Sequence, residues 1–170
     1  MKKVLLRALN LFRPQTNLFN QQDMNVALVD EHPVFRTGIR GMLKSQFEKL
    51  GTLEAGCMED LEKIIQLDIF DVIIIGLSEE HPEIDYALLK RVMKKNPLTS
   101  FIVYASAPDH KLARSLVRMG VRGILTKHAC ADELVTCVRS VLSGNPYLSP
   151  EMLAGIHKKA KRTVNEANPT

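Results

Sequence analysis

The feature that most constrains the fold is a regular alternation of short apolar runs with helical stripes. The runs contain aliphatic and β-branched residues with little polar alternation, which is typical of strands covered on both faces in a parallel sheet. Between the runs, apolar residues recur at spacings of three and four, as on one face of a helix. The alternation predicts one doubly wound α/β sheet. The runs lie at 26–29, 52–56, 71–75, 101–105 and 123–125.

Polar and small residues follow each predicted strand. In open parallel sheets, ligands bind at the carboxyl ends of the strands, near the point where the strand order switches. The sequence therefore predicts a functional edge at these strand ends. The ends are Asp30-Glu31, Gly76-Leu77-Ser78, Ala105-Ser106 and Thr126-Lys127.

Three segments carry a family resemblance, at 29–43, 118–127 and 144–151. In order and spacing they resemble bacterial response-regulator receiver domains of the NarL/FixJ/LuxR-type branch, over about residues 24–153. The resemblance implies a flavodoxin-like (CheY-like) doubly wound sheet. We expect five parallel strands in the order 2-1-3-4-5, with helices on both faces.

Receivers of this family take a phosphoryl group from a histidine kinase onto an aspartate that ends the third strand. The resemblance places Asp30 and Glu31 at the acidic pair that holds Mg²⁺, and Lys127 at the lysine that neutralises phosphoryl oxygens. Gly76 falls at the position of the nucleophile and cannot be phosphorylated. The central chemical group of the family is therefore missing.

The residues that carry out phosphotransfer in this family are called the relay below. Two further positions of this relay also depart from the family. Ala105 falls where the family has a Ser or Thr hydroxyl, and Ile124 falls where it has an aromatic switch residue. Three losses together predict a degenerate pseudo-receiver that has no catalytic residue and is not an enzyme. We expect no cofactor and weak or absent Mg²⁺ binding, because two carboxylates without a third anchor hold a hard dication poorly.

A loop glutamate is one candidate to replace the phosphoryl group. Glu79 and Glu80 follow Gly76, and either one reaching Lys127 would fix an activated-like state. The favoured alternative is that both are solvated, because charge pairs on loops are common and weak.

Charge divides the chain into three parts. Residues 1–24 carry four Lys/Arg and one Asp (+3), and residues 151–170 carry four Lys/Arg and two Glu (+2). Since the total is +4, the body carries −1, and the basic pI of about 9.0 comes from the ends. We predict an N-terminal amphipathic basic extension at 1–23, a receiver-like domain at 24–145, and a C-terminal basic tail at 146–170.

These end segments limit the possible partners. The apolar run of the N-terminal extension is too short to span a membrane, so we expect no membrane association and a cytoplasmic location. The C-terminal tail, predicted as a short helix, is too short for a helix-turn-helix domain, so we expect no specific DNA binding by this chain alone. The three cysteines and five histidines show no ligand spacing typical of zinc, and we predict reduced thiols and no zinc site.

The sequence thus predicts a phosphorylation-independent module that acts through protein contacts in a bacterial two-component or transcription-control pathway. The expected partner is a full-length response regulator, a histidine kinase or a second copy of the chain. One alternative is a transcriptional regulator whose DNA-binding domain is missing from this chain; another is a conventional phosphoacceptor with a displaced acceptor. The predicted interface pairs Arg114, Arg118 and Arg122 with Asp132 and Glu133.

Overall fold

The computed structural model describes residues 23–65, 69–106, 108–150 and 152. Its strands form one parallel sheet in the order β2-β1-β3-β4-β5-β6. Residues 1–22 of the N-terminal extension lie outside the described residues, and so does the C-terminal tail after residue 150, where a short helix is predicted, apart from Met152. The strands are β1 Asp23–Val29, β2 Lys49–Ala55, β3 Val72–Leu77, β4 Ser100–Ala105, β5 Gly123–Thr126 and β6 Tyr147–Leu148.

Helices cover both faces of the sheet. Two of them, α1 and α5, pack on one face, and α2, α3 and α4 pack on the other. The unbroken apolar run of β3 follows from this layering, because Ile73 and Ile75 face one layer while Val72 and Ile74 face the other. The helices are α1 Pro33–Gln46, α2 Met58–Ile64, α3 Tyr86–Lys95, α4 His110–Met119 and α5 Ala131–Leu142.

Local signals in the sequence mark several helix ends. Pro33 opens α1, where its missing N–H would have had no partner inside the helix. Asp85 and Asp109 cap α3 and α4 by accepting hydrogen bonds from backbone N–H groups of the first turn. Gly120 ends α4 at φ 99°, the left-handed conformation that favours glycine.

The predicted fold class is confirmed, but the structure adds a sixth strand to the predicted five. Tyr147 and Leu148 pair in parallel with Gly123 and Ile124. The two-residue strand lies between prolines and is too short to show an apolar run, so its pattern did not predict a strand. Met152 is also buried and packs in the core on the α2/α3/α4 face.

The core on the α1/α5 face is close-packed around β5. A Cβ at Gly123 would lie 2.7 Å from Cys137 Sγ and 2.8 Å from Ile102 Cγ1, so this glycine lets α5 approach the sheet. Burial raises the pKa of the Cys137 thiol to about 12. Cys57, Cys130 and Cys137 form no disulfide in the structure. Among the described residues, no helix combines the length and apolar character needed to cross a membrane.

Candidate functional site

Four strand ends converge at the carboxyl edge of the sheet. Asp30 follows β1, Gly76 lies near the end of β3, Ala105 ends β4, and Lys127 follows β5. The parallel register brings them to one level, with Leu77 beside Ala105 and Ala105 beside Thr126. The sequence predicted this convergence from the ends of the apolar runs.

A buried ion pair lies at the centre of this edge. Lys127 Nζ lies 2.5 Å from Asp30 Oδ2, and only 4% and 3% of the two side chains is exposed. The other carboxylate oxygen, Asp30 Oδ1, accepts a hydrogen bond from the His32 backbone N–H at 2.8 Å and lies 3.2 Å from His32 Nδ1. Both oxygens of Asp30 therefore have partners, as a buried carboxylate requires.

Asp30 occupies the space that a side chain at position 76 would need. A Cβ built on Gly76 would lie 1.8 Å from Asp30 Oδ2 and 2.7 Å from Asp30 Cγ. The absence of a side chain on Gly76 lets the Asp30 carboxylate lie over β3 and reach Lys127. Glycine at position 76 therefore offers no nucleophile and also leaves room for the Asp30 carboxylate.

Aromatic rings and backbone contacts fix the two charged groups. Lys127 Nζ lies 4.3 Å from the centre of the Phe35 ring, within cation–π range. The buried Tyr104 hydroxyl donates a hydrogen bond to the Lys127 carbonyl at 3.3 Å, and burial raises the pKa of Tyr104. Arg36 Nη1 donates to the Asp30 carbonyl at 2.5 Å, and its Nε donates to Glu54. The Phe35 ring contacts the ammonium group of Lys127, and the hydrogen bonds from Tyr104 and Arg36 fix the backbone of Lys127 and Asp30.

The other two predicted relay positions belong to the core. Ala105 and Ile124 are 3% and 1% exposed and pack in the cluster on the α2/α3/α4 face. Ser106, one residue after Ala105, donates its hydroxyl to the Leu77 carbonyl at 3.4 Å. The described site therefore contains a lysine and a carboxylate, but no hydroxyl at position 105 and no aromatic ring at position 124.

Glu31 forms a separate cluster beside the ion pair. Its carboxylate accepts a hydrogen bond from the Ser78 hydroxyl, and His81 Nδ1 lies 2.9 Å from Glu31 Oε2. The Ser78 hydrogen bond holds the pKa of the Glu31 carboxyl below its usual value, with help from His81. Sequence reasoning placed Ser78 at a strand end but gave no role to it or to His81. Their position directly after β3 was the available signal.

The residues present do not fit the Mg²⁺ ion that receivers of the resembling family bind. Asp30 is bound to Lys127, Gly76 offers no carboxylate, and Glu31 is bound by Ser78 and His81. Mg²⁺ needs near-octahedral oxygen coordination from carboxylates, carbonyls and water. We therefore derive no chemical step through Mg²⁺ at this edge.

The two loop glutamates do not replace a phosphoryl group. Glu79 and Glu80 are exposed, and within the described part of the chain neither forms an ion pair with Lys127. Lys127 is instead bound to Asp30. The structure agrees with the alternative of solvated glutamates.

Four of the five predicted interface residues are exposed, whereas Glu133 is half-buried and its Oε1 is out of contact with solvent. Arg114 and Arg118 are on α4, and Arg122 is exposed in the following turn. Asp132 and Glu133 lie in the first turn of α5. No ion pair within the described residues joins the three arginines to Asp132 or Glu133.

Comparisons with known proteins bear on the fold of the chain. No protein-family model matches the chain. A two-component response regulator of the LuxR family from Aurantimonas sp. SI85-9A1 aligns with a TM-score of 0.72 at 18% identity, over 82% of this chain and 99% of that one. The chain has the receiver fold.

Sequence relatives of the receiver-fold chain are regulatory proteins. Oxygen regulatory protein NreC of Staphylococcus carnosus (strain TM300) is 27% identical over 150 residues, which is 86% of this chain and 68% of NreC. Transcriptional regulatory protein DegU of Brevibacillus brevis is 25% identical over 150 residues, which is 86% of this chain and 62% of DegU. The sequence relatives and the fold both confirm the resemblance to response-regulator receivers that the motifs indicated.

Proposed function

We propose that this chain is a pseudo-receiver: a non-enzymatic, phosphorylation-independent module that acts through protein contacts in a two-component or transcription-control pathway. One observation carries the proposal. The Asp30 carboxylate fills the space above Gly76 and forms the buried ion pair with Lys127. The position of the nucleophile is thus occupied by an internal carboxylate that already neutralises the lysine of the relay.

The ion pair opposes entry of a phosphate. Lys127 is the group that would neutralise phosphoryl oxygens, but it is 4% exposed and lies between Asp30 and the Phe35 ring. A phosphate would have to displace Asp30 from Lys127 and leave a buried carboxylate without its partner. Removing one partner of a buried pair costs about 3–5 kcal/mol.

The two core positions support the same function. In the resembling family, a hydroxyl and an aromatic residue change position when the phosphate arrives. Here Ala105 and Ile124 are buried and apolar, so neither supplies a polar group that responds to an anion. The module therefore presents one fixed surface to its partners.

The α4 face supplies the proposed contact surface. Arg114 and Arg118 lie there together with Val117, which is 49% exposed, and Arg122 follows them. A basic surface with an apolar residue fits an acidic face on a response regulator, a histidine kinase or a second copy of the chain, whose α5 offers Asp132. The proposal places the module in the cytoplasm.

A second candidate function rests on the length of the relatives. The chain spans 68% of NreC and 62% of DegU, and DegU is named as a transcriptional regulatory protein. The second candidate is a regulator whose DNA-binding domain is missing from this chain. Under either function, we propose that this chain alone binds no specific DNA sequence.

The proposal predicts that a phosphoryl analogue has no effect. Beryllofluoride with Mg²⁺ should leave the melting temperature and the light-scattering mass of the full chain unchanged, because Asp30 and Lys127 are already paired. A receiver that retains its aspartate serves as the positive control and should be stabilised. A rise in melting temperature or a change in mass for this chain would contradict phosphorylation independence.

A further inference from the structure

We propose that the N-terminal segment, residues 1–22, covers an apolar surface at the amino edge of the sheet, where the strands begin, in the same chain. The amino-edge surface consists of Ile69 and Leu98, together with Ile64 at the end of α2, which leads into the loop of Ile69. It lies at the opposite end of β3 from Gly76, so this inference goes beyond the proposed function.

Large apolar side chains are exposed on the amino-edge surface. Leu98 is 63% exposed, Ile69 is 40% exposed and Ile64 is 38% exposed, and they make up half of the large apolar residues that are exposed in the described part of the chain. A hydrogen bond holds two of the loops side by side, since the Thr99 hydroxyl donates to the Phe70 carbonyl at 2.8 Å. Scattered single apolar residues on a surface are ordinary, whereas adjoining ones indicate a contact surface.

The chain enters the sheet next to this surface. Near the start of β1, the Asn25 N–H donates to Asp71 Oδ2 at 2.8 Å, and the Asp71 N–H donates to the Asn25 carbonyl at 2.8 Å. The Asp71 carbonyl accepts a hydrogen bond from the Ser100 N–H at 3.0 Å. Ile69 precedes Asp71 by two residues, and Leu98 precedes Ser100 by two residues. The point at which the N-terminal segment joins β1 therefore lies beside both loops.

The N-terminal segment is long enough to reach this surface. Residues 13–22 alone can span up to about 33 Å when extended. Neighbouring strands are about 4.8 Å apart, and only β3 separates β1 from β4, so Leu98 lies within roughly 20 Å of the start of β1. The residues before position 13 can therefore contact the amino-edge surface.

The sequence of the segment fits an apolar surface that borders on solvent. Its apolar residues recur at helical spacing, and it carries four Lys/Arg and no acidic residue. So short a helix is marginal in water by itself, and burial of its apolar face against the domain would stabilise it. The apolar residues at this spacing are Val4, Leu5, Ala8, Leu9 and Phe12.

The small size of the surface favours a tethered segment over a second copy of the chain. Three partly exposed side chains offer far less area than the roughly 800 Å² per partner that a specific interface of standard size buries. A segment of the same chain binds at an effective concentration of about millimolar, so a small apolar contact is sufficient. The occupant is therefore the chain's own N-terminal segment.

Photo-crosslinking of the full chain tests the contact. We expect p-benzoylphenylalanine in place of Leu98 to form a crosslink within one chain to residues 1–22, which mass spectrometry of the digested protein identifies. The matched control places the same crosslinker at Val34, which is 75% exposed but lies in the first turn of α1 at the opposite edge of the sheet. The control should form no crosslink to residues 1–22. Both positions are exposed, so circular dichroism should show an intact fold.

Substitutions in the segment distinguish a specific contact from chance encounters. Leu9→Asp with Phe12→Asp should abolish the crosslink from position 98, because a carboxylate is not readily buried against apolar side chains. Asn10→Asp with Asn17→Asp adds the same charge at polar positions and should retain the crosslink.

Three results would overturn the proposal. They are the lack of a crosslink from position 98 to residues 1–22, a crosslink that joins two chains, and a crosslink that survives Leu9→Asp with Phe12→Asp. No phosphoryl group or analogue is used in this experiment, so its failure is distinguishable from failure of the proposed function.

Discussion

Replacing Lys127 by methionine is expected to destabilise the domain by about 3–5 kcal/mol, because it leaves the Asp30 carboxylate buried without its counter-charge. Asp30 is 3% exposed, and its carboxylate would retain only its contacts with His32. Methionine preserves the length and apolar character of the lysine stem, so lost packing contributes little. The free energy of unfolding in urea measures the effect.

A surface ion pair provides the matched control. Lys49 Nζ lies 3.4 Å from Asp23 Oδ1, with 76% and 71% of the side chains exposed. Lys49→Met should change the free energy of unfolding by no more than about 1 kcal/mol, since exposed pairs contribute little. A second replacement, Asp30→Asn, should restore part of the stability lost in Lys127→Met. Equal losses for Lys127→Met and Lys49→Met would contradict a buried pair at the site.

Introducing an aspartate at position 76 is expected to destabilise the domain. The new Cβ would lie 1.8 Å from Asp30 Oδ2, so Asp30 has to leave its position beside Lys127. Overpacking of this kind costs about 1–3 kcal/mol, and two carboxylates competing for one lysine add repulsion. Gly76→Asp should therefore unfold at a lower urea concentration than the wild type.

Mg²⁺ distinguishes this effect from general damage. The variant carries a further carboxylate at the strand ends, so Mg²⁺ should stabilise Gly76→Asp while leaving the wild type unchanged. The matched control is Gly38→Asp in α1, where an added Cβ meets no atom within 4 Å. If Gly76→Asp is as stable as Gly38→Asp and does not respond to Mg²⁺, Asp30 does not fill the space above Gly76.

The sequence predicted the layered sheet well because its signals are local. Five apolar runs became strands, and Pro33 and Gly120 mark helix ends through backbone constraints that act within a few residues. The sixth strand was missed because Tyr147 and Leu148 pair with β5 through the tertiary fold and carry no periodic pattern of their own.

The site was predicted in its location but not in its contacts. The strand ends indicated Asp30, Gly76 and Lys127 as neighbours, since parallel strands share one carboxyl edge. The direct bond between Asp30 and Lys127 joins residues 97 positions apart and depends on side-chain rotamers and on the space left by Gly76. The cluster around Glu31 depends in the same way on a loop conformation that periodicity does not encode.

The intact mass of the chain after incubation with acetyl phosphate and Mg²⁺ tests directly whether the chain accepts a phosphoryl group. We expect no phosphoryl adduct, because position 76 has no nucleophile and Lys127 is bound to Asp30. A receiver with an intact aspartate should gain the adduct under the same conditions. A stoichiometric adduct on this chain would reveal a displaced acceptor and contradict the pseudo-receiver.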